Sequence, residues 1–349
     1  MAGTIKELEF QEFTGVNNME DPTRLVASSA KGTPLRVGLN VDIDNTKMIH
    51  RRKGRTKLVA TSTHSLWAND VGTLCFCVQG GWLKRLMPDN SLIALLAVNA
   101  NAPMAYAEFG DGTVYFSNNE IVGYISTDGT IHAFPDPTQA FKQRMVGGTI
   151  LEVFHNRLYA VQDNLIIFSD ATAPMRLDTR KFHIAMDGKI TMLLGVKDGL
   201  YCSHGERVTF LAGNDPVAQP FTYVPISEVP AILGMSCKAD LGKDKKGDAL
   251  TVAMWMTEFG LDYGFPGGKG DTMTDGFQIP GAARGCAFWS HLNDYSQFVA
   301  AYQFKQGEGG LDFDVDIPVP IGGFFAHERY NQLLGNVPHS TGTFTASES

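Results

Sequence analysis

The chain has 349 residues, 44% of them hydrophobic and 19% charged, a balance that supports a buried core and excludes a disordered or solvating polypeptide. Its formal net charge of −8 argues against generic affinity for nucleic acid and favours solubility. No run of about 18 apolar residues occurs, so no membrane span is expected, and the opening MAGTIKELEF lacks the basic-then-apolar order of a secretory leader.

Residues 1–35 read as an N-terminal docking arm. The stretch FTGVNNMEDPTRL from Phe13 to Leu25 is poor in apolar residues and contains Asp21-Pro22, which favours a turn over a helix. Isolated aromatics such as Phe10 and Phe13 are the candidate anchors of such an arm, because an extended terminus orders only when docked. The next stretch, NVDIDNTKMIHRRKG from Asn40 to Gly54, alternates into Asp44-Asn45-Thr46 and out again, as a β-hairpin does.

A repeat then begins. TVYFSNNEIVGYI between Thr113 and Ile125 runs apolar alternation into a polar turn and out again, and comparable units start at Leu74, Leu158 and Leu200. The spacing of about 40–44 residues is that of propeller blades built from hairpins. Each unit has a lead-in strand, as in ILEVFHN from Ile150 to Asn156, and a fourth strand such as IHAF from Ile131 to Phe134 often follows. The expected fold is therefore all-β and β-propeller-like, with about five to seven blades over residues 36–334 and extended N- and C-terminal arms, the latter a tail over 335–349.

Beyond residue 220 the register loosens. ALTVAMWM from Ala249 to Met256 makes a fifth unit, preceded by the polar loop 241–248 and followed by a Gly- and Asp-rich loop from Phe265 to Gly276. Around Tyr295–Phe304 a sixth hairpin and a short helix are equally compatible with the pattern, since Leu292, Tyr295, Val299 and Tyr302 have helical spacing. LDFDVDI from Leu311 to Ile317 alternates strictly, with Asp312, Asp314 and Asp316 on one face, and Pro318 marks it as an edge or closing strand.

Charge is unevenly distributed. Between residues 31 and 57 eight Lys or Arg face two Asp, and between 306 and 349 six acids face one Arg, so the two ends have opposite sign. Arg51, Arg52, Lys53 and Arg55 on one side and the aspartates 312, 314 and 316 on the other are candidate interface residues between copies, with Phe324 and Phe325 as anchors ahead of the tail.

Signals for chemistry are weak. The five cysteines (75, 77, 202, 237 and 286) have no disulfide-scaffold or zinc spacing and read as reduced and buried. His132, His155, His183 and His204 are scattered and read as surface or turn residues. The glycines of 264–270 lack the Lys-Ser/Thr of a phosphate loop, and the aspartate ladder lacks the curvature of a calcium loop. Trp67, Trp82, Trp255 and Trp289 are the residues able to stack on sugars. No catalytic residue, metal or cofactor is expected, and the chain is not expected to be an enzyme.

The stretches Phe13–Leu25 and Asn40–Gly54 resemble a group of virion proteins of tailed bacteriophages and prophages, in which a similar arm, an Asp-Pro-x-Arg-Leu step and an Asn-Val-Asp-Ile-Asp hairpin precede propeller-like repeats. Lys47 stands where that group's hairpin has Gly. In outline the chain is also similar to tail nozzle and packaged-DNA-stabilising proteins. The resemblance implies a structural component of a phage tail or head-tail junction, made in the host cytoplasm and resident in the virion. It further implies a homo-oligomeric ring with portal, adaptor or tail proteins as partners, and possible non-specific DNA contact in a channel. The alternative is a receptor- or glycan-binding propeller at the tail tip.

Overall fold

The computed structural model describes residues 13–16, 33–35, 41–43, 49–51, 63–69, 72–243, 247, 249–272, 278–279, 281–292, 295–304 and 323–325. Among these residues there is no helix. Near the N-terminus β1 (Phe13–Val16) pairs in parallel with β2 (Thr33–Leu35). β3 (Val41–Ile43) and β4 (Ile49–Arg51) form an antiparallel hairpin in which Val41 faces Arg51, as the alternation there predicts.

Five four-stranded antiparallel meanders follow, each running from an inner to an outer strand. Blade 1 is β5 (His64–Ala68), β6 (Cys75–Gln79), β7 (Trp82–Leu86) and β8 (Leu92–Ala97). Blade 2 is β9 (Ala105–Glu108), β10 (Val114–Ser117), β11 (Val122–Ile125) and β12 (Ile131–Ala133). Next come β13 (Lys142–Arg144) and blade 3, made of β14 (Ile150–Phe154), β15 (Arg157–Gln162), β16 (Leu165–Phe168) and β18 (His183–Ala185). β17 (Arg176–Asp178) leaves blade 3 between its third and fourth strands to pair with β13. Blade 4 is β19 (Ile190–Val196), β20 (Gly199–His204), β21 (Arg207–Ala212) and β22 (Thr222–Ser227). Blade 5 is β23 (Ser236–Lys243), β24 (Ala249–Thr257), β25 (Gly260–Phe265) and β26 (Lys269–Thr272).

A sixth sheet has three strands, β27 (Ala282–Leu292), β28 (Tyr295–Phe304) and β29 (Gly323–Phe325). The hairpin reading of Tyr295–Phe304 holds. The helical spacing there is a coincidence, overridden by a ladder running from Leu292–Tyr295 out to Ala282–Phe304. The loop expected over 265–276 is also shorter than the sequence implies, because Gly267 (φ 89°) and Gly268 (φ 69°) turn the chain tightly enough for Lys269–Thr272 to become the outer strand of blade 5.

Turn chemistry explains the meanders. Gly80 and Gly81 (φ 58° and 77°) join β6 to β7, and His155 and Asn156 (φ 44° and 59°) join β14 to β15. Two successive left-handed residues make the turn that matches strand twist. In blades 2, 3 and 4 a polar residue at or just past the end of the second strand fastens a neighbouring turn or loop. Asn118 Oδ1 accepts from the N–H groups of Glu120 and Ile121 at 2.8 Å, Gln162 Nε2 donates to the Gly147 carbonyl at 2.6 Å, and His204 does the same work through its ring.

The core lies between successive sheets as five slabs. Phe76, Leu83, Val114 and Phe116 fill the space between blades 1 and 2; Tyr115, Leu151, Leu158 and Ile167 fill that between blades 2 and 3. Phe154, Tyr159, Leu193 and Leu200 join blades 3 and 4, and Tyr201, Phe210, Ala253 and Trp255 join blades 4 and 5. Met254, Leu261, Phe298 and Ala300 join blade 5 to the sixth sheet. Burying one such side chain contributes about 1.5–3 kcal/mol, so these slabs hold successive sheets face to face as blades around an axis. This arrangement is a β-propeller.

Candidate functional site

The first strand of each blade lines the axis, and the charges it carries define the site. β14 is apolar except for its third residue, Glu152, and β23 carries Lys238 at the same place. Glu152 is 4% exposed, and the Lys238 ammonium donates to its Oε1 at 2.8 Å. The pair therefore bridges blades 3 and 5 past the inner strand of blade 4. Gly195 of β19 makes room for it, since a Cβ there would lie 3.2 Å from Glu152 Oε1 and 3.1 Å from the Phe154 ring. The backbone N–H groups of Gly195 and Val153 also favour the charged carboxylate. Burial nevertheless dominates and pushes the Glu152 pKa above the ordinary glutamate value, with the Lys238 charge opposing it.

Glu152 helps line a pocket of about 670 Å³ shared by the inner strands of blades 1, 2 and 3, and Lys238 reaches it from blade 5. The wall on the side of blades 1 and 2 is aromatic. Tyr106 forms a cluster with Trp67 (ring centroids 5.8 Å apart) and Phe76 (6.2 Å), which are themselves 6.0 Å apart, and its hydroxyl is buried with no hydrogen-bond partner. Desolvation pushes that phenol well above its usual range. Glu108, Phe109 and Asp111 line the pocket from the end of β9 and the turn after it. In that turn Asp111 Oδ1 accepts the Thr113 N–H at 2.9 Å and Gly112 (φ 81°) lets the chain reverse. At the end of β5, the Asn69 amide accepts from the Leu74 N–H at 2.9 Å and donates to Thr73 Oγ1 at 3.0 Å. The rim is thus held by its own hydrogen bonds.

The chemistry available here is that of a desolvated carboxyl beside an ammonium, enclosed by aromatic rings and further carboxylates. A raised carboxyl in a cleft is the kind of group that sites use to bind cations or move protons. Such a pair also acts as a strut, because removing either member strands the other's charge.

A second polar cluster has the outline of a relay but not the access. His204 Nδ1 contacts Asp187 Oδ1 at 2.5 Å and Nε2 contacts Thr209 Oγ1 at 2.9 Å, while Arg207 pairs with Asp187. Thr209 is 5% exposed and lies inside blade 4, so its hydroxyl cannot meet a substrate. The cluster fastens the loop entering β19 to the turn after β20. His204 is therefore not the surface residue its position in the sequence implies; it is buried and fully engaged.

Of the residues singled out from sequence, Phe13 lies in β1, Arg51 in β4, and Phe324 and Phe325 in β29, where they pair with Ala300 and Val299. Phe10, Arg52, Lys53, Arg55, Asp312, Asp314 and Asp316 lie outside the described residues. Trp255 is buried between blades, and only Trp67 of the four tryptophans lines the pocket. Among the described residues no group of His, Cys, Asp or Glu could hold a metal ion. Cys77 and Cys202 are buried as expected, Cys75 and Cys237 are half-buried, and Cys286 is exposed, because its face of β27 is turned away from blade 5. Glu152, Lys238 and Tyr106 were not candidates from sequence. A lone charge inside an otherwise apolar lead-in strand is the signal that could have found Glu152.

No protein-family model matches this chain, and no curated protein matches it in sequence. Among solved structures it is similar to virginiamycin B lyase from Staphylococcus aureus, at 12% identity and a TM-score of 0.43 over 80% of this chain and 90% of that one. It is also similar to a chain of a nidogen/laminin complex, at 11% identity and TM-score 0.39 over 69% and 89%. A third similarity is to the BBS1 N-terminal domain in complex with ARL6, at 8% and 0.41 over 66% and 71%. At such values no residue role and no chemistry passes to this chain. One expectation is nevertheless corrected. The absence of catalysis was inferred from the absence of a recognisable motif on repeated blades, and virginiamycin B lyase is an enzyme, so that inference does not stand.

Proposed function

We propose that this protein is a structural component of a tailed-phage virion, placed at the tail or head-tail junction as a nozzle or tail-tip ring and assembled with other virion proteins. The observation that carries the reading is the pair of stretches Phe13–Leu25 and Asn40–Gly54, which resemble the arm and hairpin of such proteins. The fold is compatible with the role: five apolar slabs make a rigid body, and a hairpin ending at Arg51 precedes it. The opposite charge of residues 31–57 and 306–349 supplies a complementary contact between neighbouring copies in a ring.

Reversing the charge of Arg51, Arg52, Lys53 and Arg55 together is expected to abolish or misdirect assembly while leaving the monomer folded. Particles of normal number and morphology from that variant would remove the support. Particles that carry the protein but attach to host cells through it would instead favour the receptor- or glycan-binding alternative.

A further inference from the structure

Blade 1 ends differently from the blades that follow it. Their outer strands are short or interrupted: β12 and β18 have three residues and each includes a His, β22 contains Pro225, and β26 carries Lys269 and Asp271. Sheet edges are ordinarily guarded in such ways, since their open N–H and C=O groups pair with any extended chain that reaches them. β8 reads LIALLA, with no charge and no proline. It is the last strand of its sheet and pairs with β7 alone among the described residues. Ala94 and Ala97 are exposed, and Trp82, which faces Ala97 across the ladder, is 45% exposed. Further in on the same side of the sheet, turned away from blade 2, Leu66 is 70% exposed.

We propose that β8 is a docking edge for a strand supplied by a second copy of this chain, the segment LDFDVDI at 311–317. The two match in length, six residues against seven, at nearly equal rise per residue. The segment has an apolar side that needs cover and an aspartate side that needs water; an edge position provides both, and Pro318 stops the pairing there. Its own sheet has no place for it beside the preceding strand, because β28 already lies between β27 and β29. Added to β8, the apolar side extends the face of Trp82, where the small Ala94 and Ala97 leave room for large cross-strand neighbours. The aspartates then fall on the opposite face, that of Arg85, which pairs with Ile93 across the ladder. The Arg85 guanidinium donates to the carbonyls of Asp128 and Thr73 rather than to a carboxylate, so the charges are complementary. A strand given to one neighbour and an edge offered to the other is a head-to-tail contact, the kind that generates rings.

The choice of a second copy rests on the ring in the virion reading, but the test needs no particles. In sedimentation velocity the full-length protein is expected to self-associate in the micromolar range. Ala94→Asp with Ala97→Asp on the edge, and separately Phe313→Asp with Val315→Asp on the strand, should each weaken association roughly tenfold or more with an unchanged thermal transition. An equimolar mixture of the two variants retains one intact edge and one intact strand, so it should form one-to-one pairs that neither variant forms alone. Without any variant, an excess of the peptide of residues 308–318 should dissociate the wild-type assembly, and the same peptide with aspartate at 313 and 315 should not. A wild-type chain that stays monomeric up to about 100 μM, or an assembly indifferent to the peptide, overturns the proposal. So does a folded variant that associates as the wild type does, or a mixture that stays monomeric, as it would if the segment docked within its own chain. None of these outcomes bears on whether particles carry the protein, on which the virion reading stands or falls.

Discussion

Replacing Lys238 with methionine leaves the Glu152 carboxylate on the axis without its ammonium. Removing one member of a fully buried ion pair costs about 3–5 kcal/mol. The Lys238 side chain is 43% exposed while Glu152 is 5% exposed, so water already screens one end and the expected loss at pH 8 is roughly 1–3 kcal/mol. The dependence on pH distinguishes this from lost packing. Burial raises the Glu152 pKa in the folded chain, so the native state holds that proton more tightly than the unfolded chain does. Stability from this group is present at low pH and falls as pH rises from the ordinary glutamate value through the raised folded one. Without Lys238 the folded value rises further, so the penalty should be largest near about pH 8 and shrink toward about pH 5. Urea denaturation followed by circular dichroism at several pH values measures it, and Glu152→Gln in the same background should remove most of the pH dependence. A penalty that is equal at both ends, or larger at the acid end, would refute the reasoning.

Asp262 is a second buried carboxyl, raised to about 6 by desolvation despite a hydrogen bond from Thr272 Oγ1 at 2.9 Å. Its stabilising proton is bound below the unfolded value of 3.8 and lost through about 6; Asp262→Asn should therefore gain up to about 3 kcal/mol over the native chain at neutral pH and nothing near pH 4, read from urea midpoints. Gly264→Ala would place a Cβ 2.3 Å from Tyr201 Cζ and push away a ring whose hydroxyl donates to the Phe265 carbonyl at 2.6 Å. A loss of about 1–3 kcal/mol is expected, and an unchanged thermal transition would show that this packing between blades 4 and 5 is loose. Under native conditions a maleimide should label Cys286 first and reach Cys77 and Cys202 only after unfolding, as peptide mass spectrometry would show. Burial pushes both of the latter thiols above their ordinary range, and a reverse order would contradict the placement of β27.

The blades were legible because their hairpins repeat, and Leu74, Val114, Leu158 and Leu200 do mark equivalent second strands. Their inner strands were harder to read. β19 is buried at six of its seven positions, since each blade is covered on both faces, and such strands lose the alternation that identifies a half-buried one. Blade 5 drifted out of register because β23 and β24 are eight and nine residues long and frame an insertion. The site was least legible. Glu152 and Lys238 are 86 residues apart and meet only because both occupy the third position of an axial strand, which becomes visible once the blades are arranged around the axis. Tyr106 looked like one apolar residue among many, and only its packing against Trp67 and Phe76 in the folded chain buries its hydroxyl without a partner.

The most direct test of the functional account is the protein content of gradient-purified phage particles, with quantitative mass spectrometry giving copies per particle. The account predicts this protein at a fixed stoichiometry matching a rotationally symmetric tail or head-tail ring, and its absence from intact infectious particles would contradict it.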